Sequence, residues 1–322
     1  MSADHPHSPD GSSLAERVAN RLNTRRAAPV EHPEPALAEP PSKTVTAREQ
    51  PISVVPTVSE PPVAPVVPEV IRTEHAATSA SGRAPLQINF QRLQAAGFIT
   101  PSSPPTGNTE AIRVIKRQLL KVAFPQGTRS VTGGNDNVIM ITSSMPGEGK
   151  TFISLNLAMS FSAERDLFVL LIDADCHRRS MGELLGAKAD VGLVDILADS
   201  SLQVGDLIQR TNIPNLSFLP GGRPYPHSAE MLASKQFGVL MQDIAARYPD
   251  RVIIIDTPPV LASTEAAVLS GQVGQTLVVV EKDRTSKRQL QRTLEMLEGG
   301  RNVGCILNMV PQEETFTEYG YY

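Results

Sequence analysis

From about residue 108 the chain alternates between two kinds of segment. Short, nearly unbroken apolar runs recur at 137–144 (NVIMITSS), 167–175 (LFVLLIDAD), 216–220 (LSFLP), 251–259 (RVIIIDTPP), 276–282 (TLVVVEK) and 303–310 (VGCILNMV). Between them lie longer segments in which apolar residues recur at helical spacing: GKTFISLNLAMSFSAE, SAEMLASKQFGVLMQDIAARY, STEAAVLSGQ and SKRQLQRTLEMLEGG. Runs that are apolar at every position, without a polar alternate, suit strands covered on both faces. Strands alternating with helices predict βαβ units, hence an α/β fold with a mostly parallel sheet and helices on both faces. Ahead of the first run, NTEAIRVIKRQLLKVAF predicts a further helix, with Ile112, Ile115, Leu119 and Val122 as its apolar face and Pro125 and Gly127 closing it. In sheets of this kind ligands sit outside the carboxyl ends of the strands, so the chemistry is expected just after each apolar run.

Composition divides the chain. Of 27 prolines, 17 lie in residues 1–105, in runs such as EHPEPALAEPP and PTVSEPPVAPVVPEV. Proline fixes φ and removes a donor, so this stretch is expected to be a disordered, extended leader. One piece of it, SSLAERVANRL, has a serine cap and Leu14, Val18 and Leu22 on one helical face, which predicts a short helix within 13–26, suited to docking. The expected domains are thus the leader at 1–105, a folded domain at 106–311 and a tail at 312–322. The net charge of −4 offers no polybasic field, and no nucleic-acid partner is expected. Cys176 and Cys305 lie in apolar runs and read as buried, reduced thiols of a cytoplasmic protein. No run is long enough to span a bilayer, and MSADHPHSPDGSS lacks the apolar stretch of a secretory signal.

Three motifs sit where the sheet predicts chemistry. After the first run comes SSMPGEGKT (143–151), a P-loop pattern with Gly149, Lys150 and Thr151 in place and Ser144 where the first glycine would stand. Small residues let backbone amides wrap phosphates, the lysine reaches the β- and γ-phosphates, and the threonine hydroxyl is placed for Mg²⁺. The nucleotide-binding stretch is read as Pro146, Gly147, Glu148, Gly149, Lys150, Thr151 and Phe152. The second run ends IDADCHRR, where Asp173 and Asp175 fall at positions i and i+2, one face of a strand. Two carboxylates beside a triphosphate call for a divalent cation. The fourth run ends in Asp256, a Walker-B acid. Together these predict ATP and Mg²⁺ as cofactors, Thr151, Asp173 and Asp256 toward the metal, and Lys150, Asp173, Asp175 and Asp256 as the catalytic set.

A P-loop followed by IDADxxRR and IIIDTPPV resembles the bacterial tyrosine kinases, a branch of the deviant-Walker P-loop ATPases. Partition-type relatives carry a second lysine where this chain has Met145, whereas PGEGK (Pro146 to Lys150) is similar to the kinases. EAIRVIK, with Glu110, Arg113 and Lys116, resembles the family's ring-forming ExxRxxR motif with lysine for the last arginine. LPGGRPYPHSAEMLAS resembles a family loop and helix, with His227 and Ser228 in place of Asn-Pro. The family arginine after the paired aspartates falls at His177, with Arg178 one place later. The leader is similar to that of kinases accompanying exosortase-linked exopolysaccharide clusters. The resemblance implies an oligomer, a ring, with Glu110, Arg113 and Lys116 at its interface. It also implies activation by a membrane polysaccharide co-polymerase, a counteracting tyrosine phosphatase, a role in exopolysaccharide synthesis, and a cytoplasmic location at the inner membrane face through the partner.

The last twelve residues, PQEETFTEYGYY (311–322), hold three of the five tyrosines, Tyr319, Tyr321 and Tyr322. They follow the last predicted strand, whose carboxyl end should open on the nucleotide edge. Twelve extended residues reach about 40 Å. The tyrosines are therefore expected to be phosphoacceptors, with Asp175 orienting or deprotonating the phenol. The competing readings are a partition-type ATPase switch, which would turn over ATP without making phosphotyrosine, and a nucleotide-binding scaffold.

Overall fold

The computed structural model describes residues 84–125 and 135–311, apart from 177, 179, 188–190 and 224. The proposed leader helix at 13–26, His177 and the tail at 312–322 lie outside the described residues.

Seven strands form one sheet: β1 (Val138–Ser143), β2 (Phe168–Asp173), β3 (Gln209–Arg210), β4 (Leu216–Leu219), β5 (Arg251–Asp256), β6 (Gln275–Glu281) and β7 (Asn302–Asn308). Their order across the sheet is β3-β4-β2-β5-β1-β6-β7. All neighbours pair in parallel except β3 with β4. The six expected strands are present, and the sheet is mostly parallel as the apolar runs predicted. The two-residue β3 was too short to leave a periodic signal.

Alternate residues of each strand feed two apolar layers. Ile139, Ile141, Val169, Leu171 and Ile254 face one side. There they meet helices α1 (Phe90–Ala95), α2 (Gly107–Ala123) and α3 (Lys150–Ser162). Val138, Met140, Leu170, Ile172, Ile253 and Ile255 face the other. In chain order the remaining helices are α4 (Ser180–Leu185), α5 (Leu193–Ala198), α6 (Val204–Leu207), α7 (Ser228–Leu232), α8 (Lys235–Arg247), α9 (Glu265–Ser270) and α10 (Lys287–Met296). Leu193, Phe237, Met241, Leu269 and Leu297 close the second layer. The segment expected to be one helix after 228 is two, because Ser234 adopts an extended conformation and caps α8 by accepting from the Phe237 amide.

The boundary at residue 105 moves. Residues 84–105 are folded onto the domain: Leu86 bridges to Thr211, and Ile88, Leu93 and Phe98 are buried in the first layer. The Ile99 amide donates to Asn156 on α3 at 2.7 Å. Proline-rich surroundings hid this short amphipathic strap. Cys176 is buried as expected, but Cys305 is exposed, because β7 is an edge strand with only one neighbour.

Candidate active site

The P-loop links the end of β1 to α3. Gly147 (φ 93°) and Gly149 (φ 91°) both occupy the left-handed region, which side chains rarely tolerate and which turns the chain back on itself. Gly149 caps α3, so the helix begins at Lys150 and points its amide end into the loop. The segment after β5 runs along the same loop. The Val260 amide donates to Ser143 O at 2.8 Å, the Leu261 amide to Ser144 O at 3.2 Å, and the Thr142 hydroxyl to Pro258 O at 2.8 Å.

At the carboxyl ends of β1, β2 and β5 the polar residues converge. Asp173 and Asp256 are register partners on neighbouring strands. Lys150 Nζ is 2.7 Å from Asp175 Oδ2, and both side chains are almost wholly buried. Asp173 Oδ1 accepts from the Asp175 amide at 3.1 Å. Thr151 Oγ1 donates to Asp256 Oδ2 at 2.7 Å, and Ser154 Oγ to Asp256 Oδ1 at 3.0 Å. Burial, then the charges of Asp256 and Asp175, push the Asp173 carboxyl up to about 8. Burial raises Asp256 to about 6, against the opposing pull of Lys150, Thr151 and Ser154. Burial and crowding thus disfavour the ionised form of Asp173, a repulsion that a bound cation would relieve.

Lys150, Thr151, Asp173, Asp175 and Asp256 are brought together as the sequence suggested. Phe152 is not: its ring leaves the site and packs on Phe98, with centroids 5.0 Å apart. The Glu148 carboxylate is also no ligand in waiting. It is 1 % exposed, accepts from the Met145 amide at 2.8 Å and from the Thr285 hydroxyl, and so braces the loop. Sequence reading missed Ser154. Its signal was a polar residue one turn after Lys150, but Asn156, Ser160 and Ser162 on the same helix are polar too and made it inconspicuous. The row Glu110, Arg113, Lys116 is corrected as well. Glu110 and Arg113 form an exposed pair at 3.2 Å, but Lys116 is 8 % exposed. Its Nζ donates to Ser160 O at 3.0 Å and Glu164 Oε1 at 2.6 Å. Positions i and i+6 face different sides of a helix, so the third member of the row turns into the domain.

Among the described residues no three acidic, histidine or cysteine side chains close on one point as a protein-only metal cage would. Mg²⁺ does not need one. It keeps waters and phosphate oxygens and takes one or two protein oxygens. The all-oxygen set of Thr151 and Asp256, with the raised Asp173 beside it, fits that ion. The amide end of α3 and Lys150 fit the phosphates of ATP. Beside them opens a cleft of about 620 Å³, lined by residues including Pro146, Asp175, Arg178, Pro259, Glu265 and Met296.

Comparison with known proteins agrees with this geometry. Residues 136–299 match a family described as an AAA domain. The tyrosine-protein kinase YwqD of Bacillus subtilis is 31 % identical over 226 residues, covering 70 % of this chain and 90 % of that protein. The tyrosine-protein kinase wzc of Salmonella typhimurium is 33 % identical over 236 residues, covering 72 % of this chain, but the match spans only 31 % of that longer protein. The kinase domain of the Escherichia coli tyrosine kinase ETK superposes with a TM-score of 0.56 at 30 % identity, over 66 % of this chain and 80 % of that one. The chimerical protein CapA2B2 gives the same TM-score at 28 % identity over 74 % of this chain and all of that one. With a deviant P-loop, paired aspartates and a third acid set on this sheet, and with a relative covered almost end to end, the chain belongs to the bacterial tyrosine kinase family.

Proposed function

We propose that this chain is an ATP-dependent protein tyrosine autokinase whose acceptors are Tyr319, Tyr321 and Tyr322. The observation that carries the reading is the convergence of Lys150, Asp175, Asp173, Thr151 and Asp256 on the sheet edge at which β7, the strand preceding the tail, also ends. Asn308, the last residue of β7, donates from Nδ2 to Glu148 O in the P-loop at 3.0 Å. The strand that precedes the tail in sequence therefore ends beside the P-loop.

Mg-ATP, when bound, supplies the phosphoryl group and the cation that screens it. The chain's residues do the rest by position and charge. Lys150 and the amides at the start of α3 hold the phosphates. Thr151 and Asp256 offer oxygens to the metal, with Asp173 alongside. Asp175 holds Lys150 when no phosphate is present. Once phosphates draw the ammonium away, the Asp175 carboxylate is free to orient the incoming phenol and take its proton. The adjoining cleft, with Arg178 at its wall, is the route by which an acidic peptide carrying tyrosine enters.

Met145, at the loop's rim, lacks the ammonium that a partition-type dimer would send across, which supports the kinase over an ATPase switch. Among the described residues no helix is long and apolar enough to cross a membrane. We infer that membrane placement and activation come from a polysaccharide co-polymerase partner, that the exposed Glu110–Arg113 pair serves assembly into a ring, that a phosphatase resets the tail, and that the output is control of exopolysaccharide synthesis. Replacing Tyr319, Tyr321 and Tyr322 together by Phe is expected to remove phosphate incorporation from labelled ATP while Mg-ATP binding stays. Undiminished incorporation in that variant would place the acceptors elsewhere.

A further inference from the structure

We propose that Thr285 is a positioning residue of the nucleotide site: through its hydroxyl it holds Glu148, and with it the P-loop, in the shape that receives phosphates. The proposal rests on the reading of this loop as a nucleotide site.

A carboxylate inside a phosphate-binding loop is unfavourable unless it is fixed by donors and kept from the anion. Glu148 is buried between two left-handed glycines, and its carboxylate takes one hydrogen from the Met145 amide and one from the Thr285 hydroxyl. The direction of the second bond is settled by its neighbour. The Thr285 oxygen already accepts from the Glu281 amide at 3.0 Å, so its own proton goes to Glu148. Thr285 is itself held in a tight turn after β6. Its amide donates to Glu281 O at 3.1 Å, Asp283 adopts φ 61°, and Arg284 pairs with Glu281 at 2.9 Å.

Two further contacts come from the same β6–α10–β7 unit. Thr293 Oγ1 lies 2.8 Å from Ser144 Oγ, the residue that replaces the loop's first glycine. Asn308 Nδ2 donates to Glu148 O at 3.0 Å and fills the space in which a Cβ on Gly149 would lie. The loop is thus gripped at Ser144 and twice at Glu148 by side chains outside it. Of these, only Thr285 donates to the buried carboxylate itself. Without its hydroxyl the carboxylate keeps one donor, the Met145 amide, and the loop loses its tie to the turn after β6.

The test is calorimetric titration of the full chain with Mg-ADP, well below the unfolding temperature. Thr285→Val is expected to weaken binding by about tenfold to a hundredfold, the scale of one lost hydrogen bond to a charged group. Thr285→Ser should restore wild-type affinity. A purely structural brace would lower the unfolding temperature and leave affinity unchanged, so a Val variant that binds Mg-ADP as wild type does overturns the proposal. Should the Val variant fail to fold, Thr285→Ala against Thr285→Ser gives the same contrast, since these two differ by the hydroxyl alone. A wild-type chain that binds no Mg-ADP would instead overturn the nucleotide reading and this proposal with it.

Discussion

Among the three buried carboxylates Lys150 pairs with Asp175, at 2.7 Å, and that pairing has consequences for both activity and stability. Lys150→Met should end phosphate transfer. It also strands Asp175, at a cost on the order of 3 kcal/mol for a broken buried pair. Adding Asp175→Asn should recover much of that stability without recovering transfer, which thermal unfolding and an incorporation assay would read separately. The same carboxylates make stability depend on pH. Asp173 ionises near 3.8 when unfolded but near 8 in the fold, so between those values the folded state holds a proton that the unfolded state has released. Stability of the metal-free protein should therefore fall as pH rises through that window. Asp173→Asn should flatten the part of the slope above about 6, where Asp256 no longer contributes, and so should Mg²⁺ with nucleotide; unfolding scans at roughly pH 5, 6.5 and 8 would show a steep slope between the last two in the wild type alone. The convergence of Lys150, Thr151, Asp173, Asp175 and Asp256 was legible because they lie in three short segments, each at the end of an apolar run. Thr285 and Asn308 were not: their P-loop partner is 137 and 160 residues away in sequence, and nothing local marks a threonine in a turn as the donor to a distant carboxylate.

Among the elements, α2 shows how helical periodicity is both informative and incomplete. Ile112 and Leu119 are buried as expected. Lys116 joins them because the carbonyl of Ser160 and the carboxylate of Glu164, at the end of α3, give its ammonium a partner. α2 is thereby tied to the helix that begins with Lys150. Lys116→Met is expected to cost about 1 kcal/mol, since Glu164 is half exposed and screened, and to lower the unfolding temperature with little change in oligomer mass. Glu110→Ala with Arg113→Ala should do the reverse, and light scattering after size exclusion would separate the two. An unchanged mass in the double variant would remove those residues from the interface. The α1 strap was missed because Leu86, Ile88, Leu93 and Phe98 are too few, and too close to prolines, to stand out from the leader. Only the groove beside α3 gives them a core to join.

For the molecule as a whole, the parallel sheet determines what can meet. It brings the ends of β1, β2 and β5 together and sends β7 out at the same edge, so the P-loop and the end of β7 are neighbours by topology. The apolar runs made that arrangement readable, because β1, β2 and β5 are buried on both faces and each chemical motif follows one of them. The central claim is that this edge moves phosphate onto the chain's own tail. Its most direct test is the intact mass of phosphatase-treated full-length protein before and after Mg-ATP, with fragmentation of the C-terminal peptide. One to three added phosphates on Tyr319, Tyr321 and Tyr322, absent in Lys150→Met, is the expected result. ATP turnover with no phosphotyrosine, even when the cytoplasmic segment of a co-polymerase partner is present, would contradict it and leave a nucleotide-driven switch in its place.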